Sequence, residues 1–152
     1  MKIEIRSATP ADAAKITACV EAAYQHYVER MGKKPGPMLD DYAALIRDHH
    51  VFVATSSGDD LLAGLLVLIE QPDTILLDNV AVHPKFQGVG LGKSFMQQAE
   101  HETKRLGYSS IILYTHELMT ENQAIYKKLG YAETHRIEEK GFKRVYMRKN
   151  IV

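Results

Sequence analysis

Three glycines alternate within five positions of the segment KFQGVGLGKS, at positions 85–94. An apolar segment typical of a strand, TILLDNVAV, precedes it, and apolar residues at helical spacing follow it. The chain is therefore expected to turn sharply from a strand into a helix at Gly88, Gly90 and Gly92. The first N–H groups of a helix lack internal partners, and the helix dipole favours an anion there. The pattern predicts a phosphate-binding loop, to which Lys93 adds positive charge.

Two other phosphate-binding motifs compete for these glycines. The P-loop of nucleotide triphosphatases reads G-x-x-x-x-G-K-[ST], and Gly92, Lys93 and Ser94 supply its end, but its first glycine would fall on Gln87. The dinucleotide-binding pattern G-x-G-x-x-G fits the first two glycines but requires a third where Lys93 stands. Each motif fails at one position. The pyrophosphate loop of acetyl-coenzyme A enzymes is the third candidate, and a tight turn without a ligand is the structural alternative.

Composition favours one domain that acts on small molecules. The 152 residues are 45% hydrophobic, enough for a single core, so one domain spanning residues 1–152 is expected. Lysine plus arginine equal aspartate plus glutamate, at 19 each, so neither nucleic acid nor an anionic membrane is an expected partner. No apolar run reaches about 18 residues, and the start MKIEIRSATP lacks an apolar signal segment, so a cytoplasmic location is predicted. The single cysteine, Cys19, is expected to pack in the core, and no metal site is expected.

Hydrophobic periodicity predicts a series of strands and helices. Ile3 and Ile5 indicate a first strand, and Thr9 is the expected cap of a helix that the segment MGKKPGPM ends. The segment LDDYAALIRDHH predicts a shorter helix, and HVFVATSSGDDLLAGLLVLIE predicts a hairpin. TILLDNVAV is apolar enough for a central strand, SSIILYTH is another strand, and a capping box of Thr120 and Gln123 is expected to open the last helix. YAETHRIEE and KRVYMRKNI predict a closing antiparallel pair.

The glycine loop resembles the pyrophosphate motif of the GNAT family of N-acetyltransferases, [QR]-x-x-G-x-[GA]. Gln87, Gly90 and Gly92 match this motif, VAVHPKF resembles the strand and turn that lead into it, and IYKKLGY resembles the family's later tyrosine-bearing helix. The resemblance implies an α/β fold: a single-domain, mixed, twisted and splayed β-sheet flanked by helices. The splay would lie between the TILLDNVAV and SSIILYTH strands and would give a cofactor arm a slot.

The resemblance also implies acetyl-coenzyme A as the acetyl donor. The backbone of the strand at positions 80–82 would pair with the pantetheine arm, and the backbone at positions 87–92 would receive the pyrophosphate. With Lys93 added for its charge, the predicted cofactor-binding residues are Val80, Ala81, Val82, Gln87, Gly88, Val89, Gly90, Leu91, Gly92 and Lys93. The family often forms homodimers, so a homodimer is one assembly that the resemblance allows.

Acetylation of an amine by a thioester needs a neutral amine, a polarised carbonyl and a proton for the leaving thiolate. The resemblance places Tyr126 near the sulfur as the general acid. Four residues near predicted strand ends are candidates for the base, namely Glu70, Asp78, His83 and His116. The sequence does not select one of them, although His116 is favoured slightly because it follows the strand beside the expected splay.

The acceptor is expected to contact the segment ERMGKKPGPMLDDY, in which Glu29, Asp40 and Asp41 could attract a cation. The leading functional hypothesis is an acetyl-coenzyme A-dependent N-acetyltransferase that modifies a primary amine of a small molecule or peptide by direct attack. One alternative is a non-catalytic acyl-coenzyme A sensor, which would keep the glycine loop without a catalytic acid. The other is a small P-loop nucleotide triphosphatase, which only the sequence GLGKS favours.

Overall fold

Apolar runs and alternating patterns form seven strands of one mixed sheet within residues 2–151, the part of the chain that this computed structural model describes. The strands are β1 (Ile3–Ser7), β2 (His50–Ser56), β3 (Leu62–Glu70), β4 (Ile75–Val82), β5 (Ser110–His116), β6 (Ala132–Glu139) and β7 (Phe142–Asn150). Their order across the sheet is β1-β2-β3-β4-β5-β7-β6. The strand TILLDNVAV is therefore central, as its composition predicts.

Four α-helices flank this sheet in the described part of the chain. They are α1 (Ala13–Met31), α2 (Tyr42–Asp48), α3 (Leu91–Arg105) and α4 (Thr120–Lys128). Thr9 caps a single 3-10 turn, Pro10–Asp12, and α1 follows directly. Helix α1 ends at Gly32, which adopts a left-handed conformation with φ of 73°, as the predicted break requires. No helix within residues 2–151 has both the length and the apolar character needed to cross a membrane.

The sheet separates two hydrophobic clusters. Helices α1 and α2 pack on one face, where Ile16, Tyr24 and Leu65 belong to the same cluster. Helix α3 packs on the other face through residues such as Phe95, and α4 adds Tyr126 to that cluster. Strand β3 is buried along nearly its whole length, which explains its continuous apolar sequence.

The predicted splay lies between β4 and β5. These parallel strands pair only over Ile75–Leu77 and Ile111–Leu113, although β4 continues to Val82 and β5 to His116. The register between β3 and β4 also shifts here, because Leu68 opposes Leu77 and Val67 opposes Asn79, which leaves Asp78 as an extra residue in β4. The bulge and the loss of pairing together open a slot at the centre of the sheet.

Strands β6 and β7 form the expected antiparallel pair, but β7 inserts between β5 and β6. The register places His116 of β5 opposite Arg144 of β7. Residues that are far apart in the sequence therefore meet at the end of β5 that lies beside the slot.

The predicted capping box of α4 is wrong. Met119 occupies the cap position, and no side chain caps the first turn. Gln123 instead donates from Nε2 to the carbonyl of Glu117, at 3.0 Å, and Thr120 contacts Glu121. Gln123 thus holds the turn after β5 rather than the start of the helix.

Candidate active site

A cleft of about 610 Å³ opens where β4 and β5 diverge. Helix α1 forms one wall and α4 the other, while the end of β4 and the start of α3 form the floor. Its lining includes Ala23, Tyr24, His26, Tyr27, Val80, Ala81, Val82, Gln87, Gly92, Lys93, Met96, Glu121, Asn122, Ile125, Tyr126 and Leu129. The cleft is elongated between two helices and is lined mainly by apolar side chains, as an extended organic cofactor arm requires.

The glycine loop forms the end of this cleft beside α3. Gly88 and Gly90 have φ values of 83° and 84°, a conformation that other residues adopt only with strain. The N–H of Ser94 donates to the carbonyl of Gly90, which is the first hydrogen bond of the helix. Within residues 2–151, no backbone N–H at positions 88–93 donates to a protein acceptor. These free donors at the positive end of the helix dipole make the loop suited to a phosphate group.

Gly92 has a different role from the other two glycines. Its backbone has no positive φ, so the expected curl of the chain depends on Gly88 and Gly90 alone. A Cβ atom built on Gly92 would meet only Val82 Cγ2, at 4.0 Å, and Gly92 lines the cleft. Protein packing therefore does not require glycine here, and a long or branched side chain at this position would extend into the cleft.

The slot edge of β4 carries unpaired backbone groups. The N–H of His83 donates to the carbonyl of Ala63 on β3, so the polar groups of Ala81, two residues earlier, also face β3. Those of Val80 and Val82 face the opposite side, where β5 no longer pairs. Tyr24 Oη lies 3.3 Å from the carbonyl oxygen of Val80, consistent with this direction.

The predicted cofactor-binding residues fall into two groups. Val80, Ala81, Val82, Gln87, Gly92 and Lys93 line the cleft. The backbone of the other four forms the loop at its end: Gly88, Val89 and Gly90 are exposed, and the side chain of Leu91 is buried in the core. The two groups would therefore bind a cofactor in different ways: the loop offers backbone N–H donors, and β4 offers the edge of a strand.

Tyr126 lies on α4 at the inner end of the cleft. The residue is half-buried, and burial, with a smaller contribution from Tyr27, raises its pKa to about 12. Among the described residues, none forms a hydrogen bond with its hydroxyl group. The hydroxyl therefore stays protonated near neutral pH, with its donor free for a ligand.

A second, much smaller pocket of about 50 Å³ adjoins the cleft at Tyr126. The two cavities share Tyr24, Val80, Asn122 and Tyr126 as lining residues. The second pocket is further lined by Met31, Pro35, Gly36, Pro37, Leu77, Asp78, Asn79, Leu113, Tyr114, Thr115, His116, Met119, Phe142 and Arg144. Ligands bound in the two cavities would thus meet beside Tyr126.

Asn79 fixes the wall of this second pocket. Its Oδ1 accepts from Tyr24 Oη at 2.7 Å, and its Nδ2 donates to Tyr42 Oη at 3.1 Å. The Tyr42 hydroxyl in turn donates to the carbonyl of Pro37 at 2.6 Å. This buried chain of hydrogen bonds joins β4 to α1, to α2 and to the turn at Gly36–Leu39.

Two of the four candidate bases line the second pocket, and two do not. Glu70 lies at the far end of β3, bound to His50 and Tyr108, and His83 follows β4 with its Nδ1 accepting the N–H of Lys85. Asp78 and His116 both face the pocket. The segment expected to form the acceptor wall contributes Met31, Pro35, Gly36 and Pro37 to the lining of this pocket, whereas Asp41 caps α2.

The carboxyl group of Asp78 is poised to take up a proton. It accepts from Tyr114 Oη at 3.1 Å, and burial raises its pKa above the usual value despite that hydrogen bond. Asp40 is exposed, yet the protein around its carboxyl and the nearby charge of Asp78 raise its pKa to about 6. Asp78 thus places one carboxylate in the pocket that can attract a cation, and Asp40 lies near enough to feel its charge.

The imidazole of His116 is less able to accept a proton than the carboxyl group of Asp78. Its Nδ1 accepts the N–H of Leu118 at 3.1 Å, so the neutral ring carries its proton on Nε2. Burial, together with the positive charges of Lys33, Lys143 and Arg144, lowers its pKa and keeps the ring neutral. Neutral His116 can therefore donate from Nε2 into the pocket more readily than it can accept.

Several lining residues escape sequence reasoning. Arg144 reaches the pocket only because β7 pairs with β5, and no local pattern marks that pairing. Tyr24 and Asn79 lie on a helix and a strand whose apolar periodicity hides their buried hydrogen bond. A signal for Asn79 was present, since Asp78 and Asn79 are consecutive polar residues within an apolar central strand.

Comparison with known proteins agrees with this architecture. Residues 17–131 match the family described as the acetyltransferase (GNAT) family. The chain therefore belongs to the GNAT acetyltransferase family. It is 32% identical over 78 residues to the uncharacterized N-acetyltransferase YvbK of Bacillus subtilis, a match that covers 51% of this chain and 50% of that protein. The chain thus spans about half the length of this curated relative.

Solved structures share the fold over nearly the entire chain. The PaiA N-acetyltransferase of Thermoplasma acidophilum, in complex with coenzyme A, has a TM-score of 0.80 at 19% identity and covers 99% of each chain. The ribosomal-protein-S18-alanine N-acetyltransferase of Escherichia coli has a TM-score of 0.79 at 18% identity, covering 99% of this chain and 94% of its own. Salmonella typhimurium YncA, solved with its cofactor acetyl-CoA, has a TM-score of 0.74 at 20% identity, and the match covers 100% of this chain and 95% of YncA. The predicted fold class and family are confirmed.

Proposed function

We propose that this protein transfers an acetyl group from acetyl-coenzyme A to a primary amine by direct attack. The observation that carries the proposal is the shared wall at Tyr126, where a cleft with a phosphate-type loop meets a second pocket that contains the carboxylate of Asp78. The two substrates would bind in the two cavities and react where the cavities join. Complexes of family relatives with coenzyme A and acetyl-CoA support the choice of donor.

The donor would lie along the slot edge of β4. Its pyrophosphate would accept hydrogen bonds from the free N–H groups at positions 88–93, with Lys93 nearby as a positive charge. Its amide-bearing arm would pair with Val80 and Val82, much as an added strand would. The N–H of one of these residues is then a donor for the carbonyl oxygen as negative charge develops on it.

The reaction forms a C–N bond and breaks the C–S bond of the thioester. The neutral amine attacks the carbonyl carbon, and the sulfur leaves with the electron pair of the broken bond. Tyr126 is the proposed general acid, because its protonated hydroxyl is free of protein partners and lies at the junction. Tyr126 gives its proton to the leaving thiolate, and the proton that the attacking nitrogen loses as it becomes an amide restores the Tyr126 hydroxyl through water.

The acceptor must lose a proton before it attacks. An alkyl ammonium has a pKa of about 10.4, so fewer than about one molecule in a thousand is neutral at pH 7. Asp78 and His116 are the two predicted bases that line the pocket. We favour Asp78 because its raised pKa and open carboxylate suit proton uptake, whereas the Nδ1 of His116 already accepts a backbone N–H. His116 remains the second proposal, with proton transfer through a water molecule.

The alternatives explain fewer features. A non-catalytic acyl-coenzyme A sensor would need the loop and the cleft but not the polar second pocket behind Tyr126. A P-loop triphosphatase is contradicted by family membership and by the first glycine position, which Gln87 occupies.

The proposal is tested by incubating the protein with acetyl-coenzyme A and a panel of primary amines. Free thiol and the mass of the acetylated amine are measured in parallel, so hydrolysis is distinguished from transfer. We expect equal amounts of thiol and acetylated amine. Binding of acetyl-coenzyme A without thiol release for any amine would instead support the sensor.

A further inference from the structure

Arg144 carries a nearly buried positive charge into the acceptor pocket. Its side chain is only 11% exposed, and its guanidinium carbon lies 4.2 Å from the ring centroid of Tyr114. A Cβ atom built on Gly36 would lie 3.6 Å from Arg144 Nη2, so the guanidinium extends from β7 to the turn on the opposite side of the pocket. The charge is thus held in place by an aromatic ring and a backbone turn.

Most hydrogen-bond donors of this guanidinium have no protein partner. Among the described residues, its one hydrogen bond runs from Nη1 to Glu139 Oε1, at 2.9 Å, and Tyr146 also donates to that oxygen. A guanidinium has five N–H donors arranged to match a carboxylate. None of its nitrogen atoms is among the fully enclosed atoms without a partner, so the remaining donors keep accessible surface, and Arg144 lines the pocket.

Asp78 provides the opposite charge in the same pocket. Tyr114 Oη donates to Asp78 Oδ1, and the ring of that same tyrosine lies under the guanidinium. Asp78 and Arg144 do not form a salt bridge with each other, nor does Asp78 with any other described cation. The tyrosine therefore holds an anion and a cation apart, each able to receive a ligand group of opposite charge.

We infer that the acceptor is a free amino acid, with its ammonium group directed to Asp78 and its carboxylate to Arg144. This inference rests on the proposed amine acetylation and narrows its substrate class. The remaining lining includes Met31, Met119 and Phe142, so the side chain of the amino acid is expected to be apolar. A simple alkylamine would leave the buried guanidinium without an anion from the substrate.

The experiment uses three matched acceptors for each of leucine, methionine and phenylalanine: the amino acid, its primary amide and the corresponding decarboxylated amine. The amide has the same side chain but no carboxylate charge. We expect the kcat/KM for at least one amino acid to exceed those for its amide and amine about 10- to 100-fold, the size of one charge-assisted interaction. This order is expected although an amino amide is more readily deprotonated than an amino acid.

Arg144→Met keeps an unbranched side chain over Tyr114 but removes the charge. We expect it to lower kcat/KM for the preferred amino acid about 10- to 100-fold and to leave the matched amine within about twofold. Arg148→Met is the control, because Arg148 lies exposed on the same strand. Unchanged coenzyme A affinity and thermal midpoint would show that both variants fold.

Calorimetry of amino acid binding in the presence of coenzyme A separates the two proposals. Binding that requires Arg144 without any acetyl transfer would support recognition of an amino acid by this pocket and contradict the proposed function. Acetyl transfer at equal rates to acids, amides and amines would support the proposed function and contradict this inference. Absence of both carboxylate-dependent binding and carboxylate-dependent turnover, or a preference that survives Arg144→Met, would overturn the inference.

Discussion

At the scale of single residues, Tyr126 joins the two cavities through one hydroxyl group. Tyr126→Phe removes only the oxygen that is proposed to protonate the sulfur, so we expect kcat to fall about 100-fold, within the usual range for a general acid. The dissociation constant of coenzyme A should change less than about twofold, because the ring still lines the cleft. Steady-state kinetics and a coenzyme A titration measure the two quantities.

Tyr108→Phe is the matched control for this substitution. The Tyr108 hydroxyl donates to Glu70 outside the linings of both cavities, so its loss should leave kcat unchanged. An unchanged kcat in Tyr126→Phe would remove the proposed acid role.

The choice between Asp78 and His116 has a pH signature. Asp78 acts as a base only when it has lost its proton, and its pKa is raised, so kcat/KM should fall as pH falls through that raised value. Asp78→Asn is expected to lower kcat/KM at neutral pH and to abolish this acidic limb. His116→Ala should keep the limb, because His116 is not the group that titrates in this scheme. A limb that survives Asp78→Asn and disappears in His116→Ala would identify the histidine as the base.

At the scale of elements, substitutions at Gly92, in the first turn of α3, test stability and ligand binding separately. A Cβ atom at Gly92 has room and would favour the helix, so Gly92→Ala should raise the free energy of unfolding by about 0.5–1 kcal/mol. Gly92→Val should also fold, but its branched side chain would enter the cleft beside the free N–H groups. We expect about tenfold weaker acetyl-coenzyme A binding in Gly92→Val and near-normal binding in Gly92→Ala.

Denaturant unfolding and a ligand titration on the same samples test this separation. Equal affinity in Gly92→Val would show that the first turn of α3 does not contact the donor. A large loss of stability in Gly92→Ala would show that glycine is required there for packing.

Element types were predictable where the signal is local. The hairpin of β2 and β3 and the helix after the glycine loop follow from periodicity and turn residues alone. The cap of α4 was not predictable in this way, because Gln123 finds better acceptors in the carbonyls of the preceding turn than at its own helix start. Local motifs cannot show which nearby backbone group a side chain will choose.

The order of the strands in the sheet was less predictable than the positions of the strands in the sequence. The sequence indicates a final antiparallel pair, but nothing local places β7 beside β5 or brings Arg144 opposite His116. The splay was predicted from the family resemblance alone, because it depends on a bulge at Asp78 and on pairing between distant strands. Consequently the loop and Tyr126 could be proposed from the sequence, whereas Arg144 needed the sheet order.

At the scale of the whole molecule, one interrupted sheet organises both substrates. The paired half of β4 and β5 closes the core, and their diverging ends connect the donor cleft with the acceptor pocket. Solved structures at 18–20% identity share the overall fold. In the proposed function, donor binding relies largely on backbone groups, which many sequences can supply, while acceptor binding depends on individual side chains such as Asp78 and Arg144.

The central claim is that the cleft binds acetyl-coenzyme A, and the thermal midpoint of unfolding tests it most directly. The protein is heated alone and with acetyl-coenzyme A, coenzyme A, ATP with magnesium, or NAD. Ligand at about 100 times its dissociation constant adds about 2.7 kcal/mol, which raises the midpoint of a domain of this size by about 5–10 °C. We predict this rise with the two coenzyme A ligands alone. A rise with ATP and magnesium, and none with acetyl-coenzyme A, would contradict the proposed donor site.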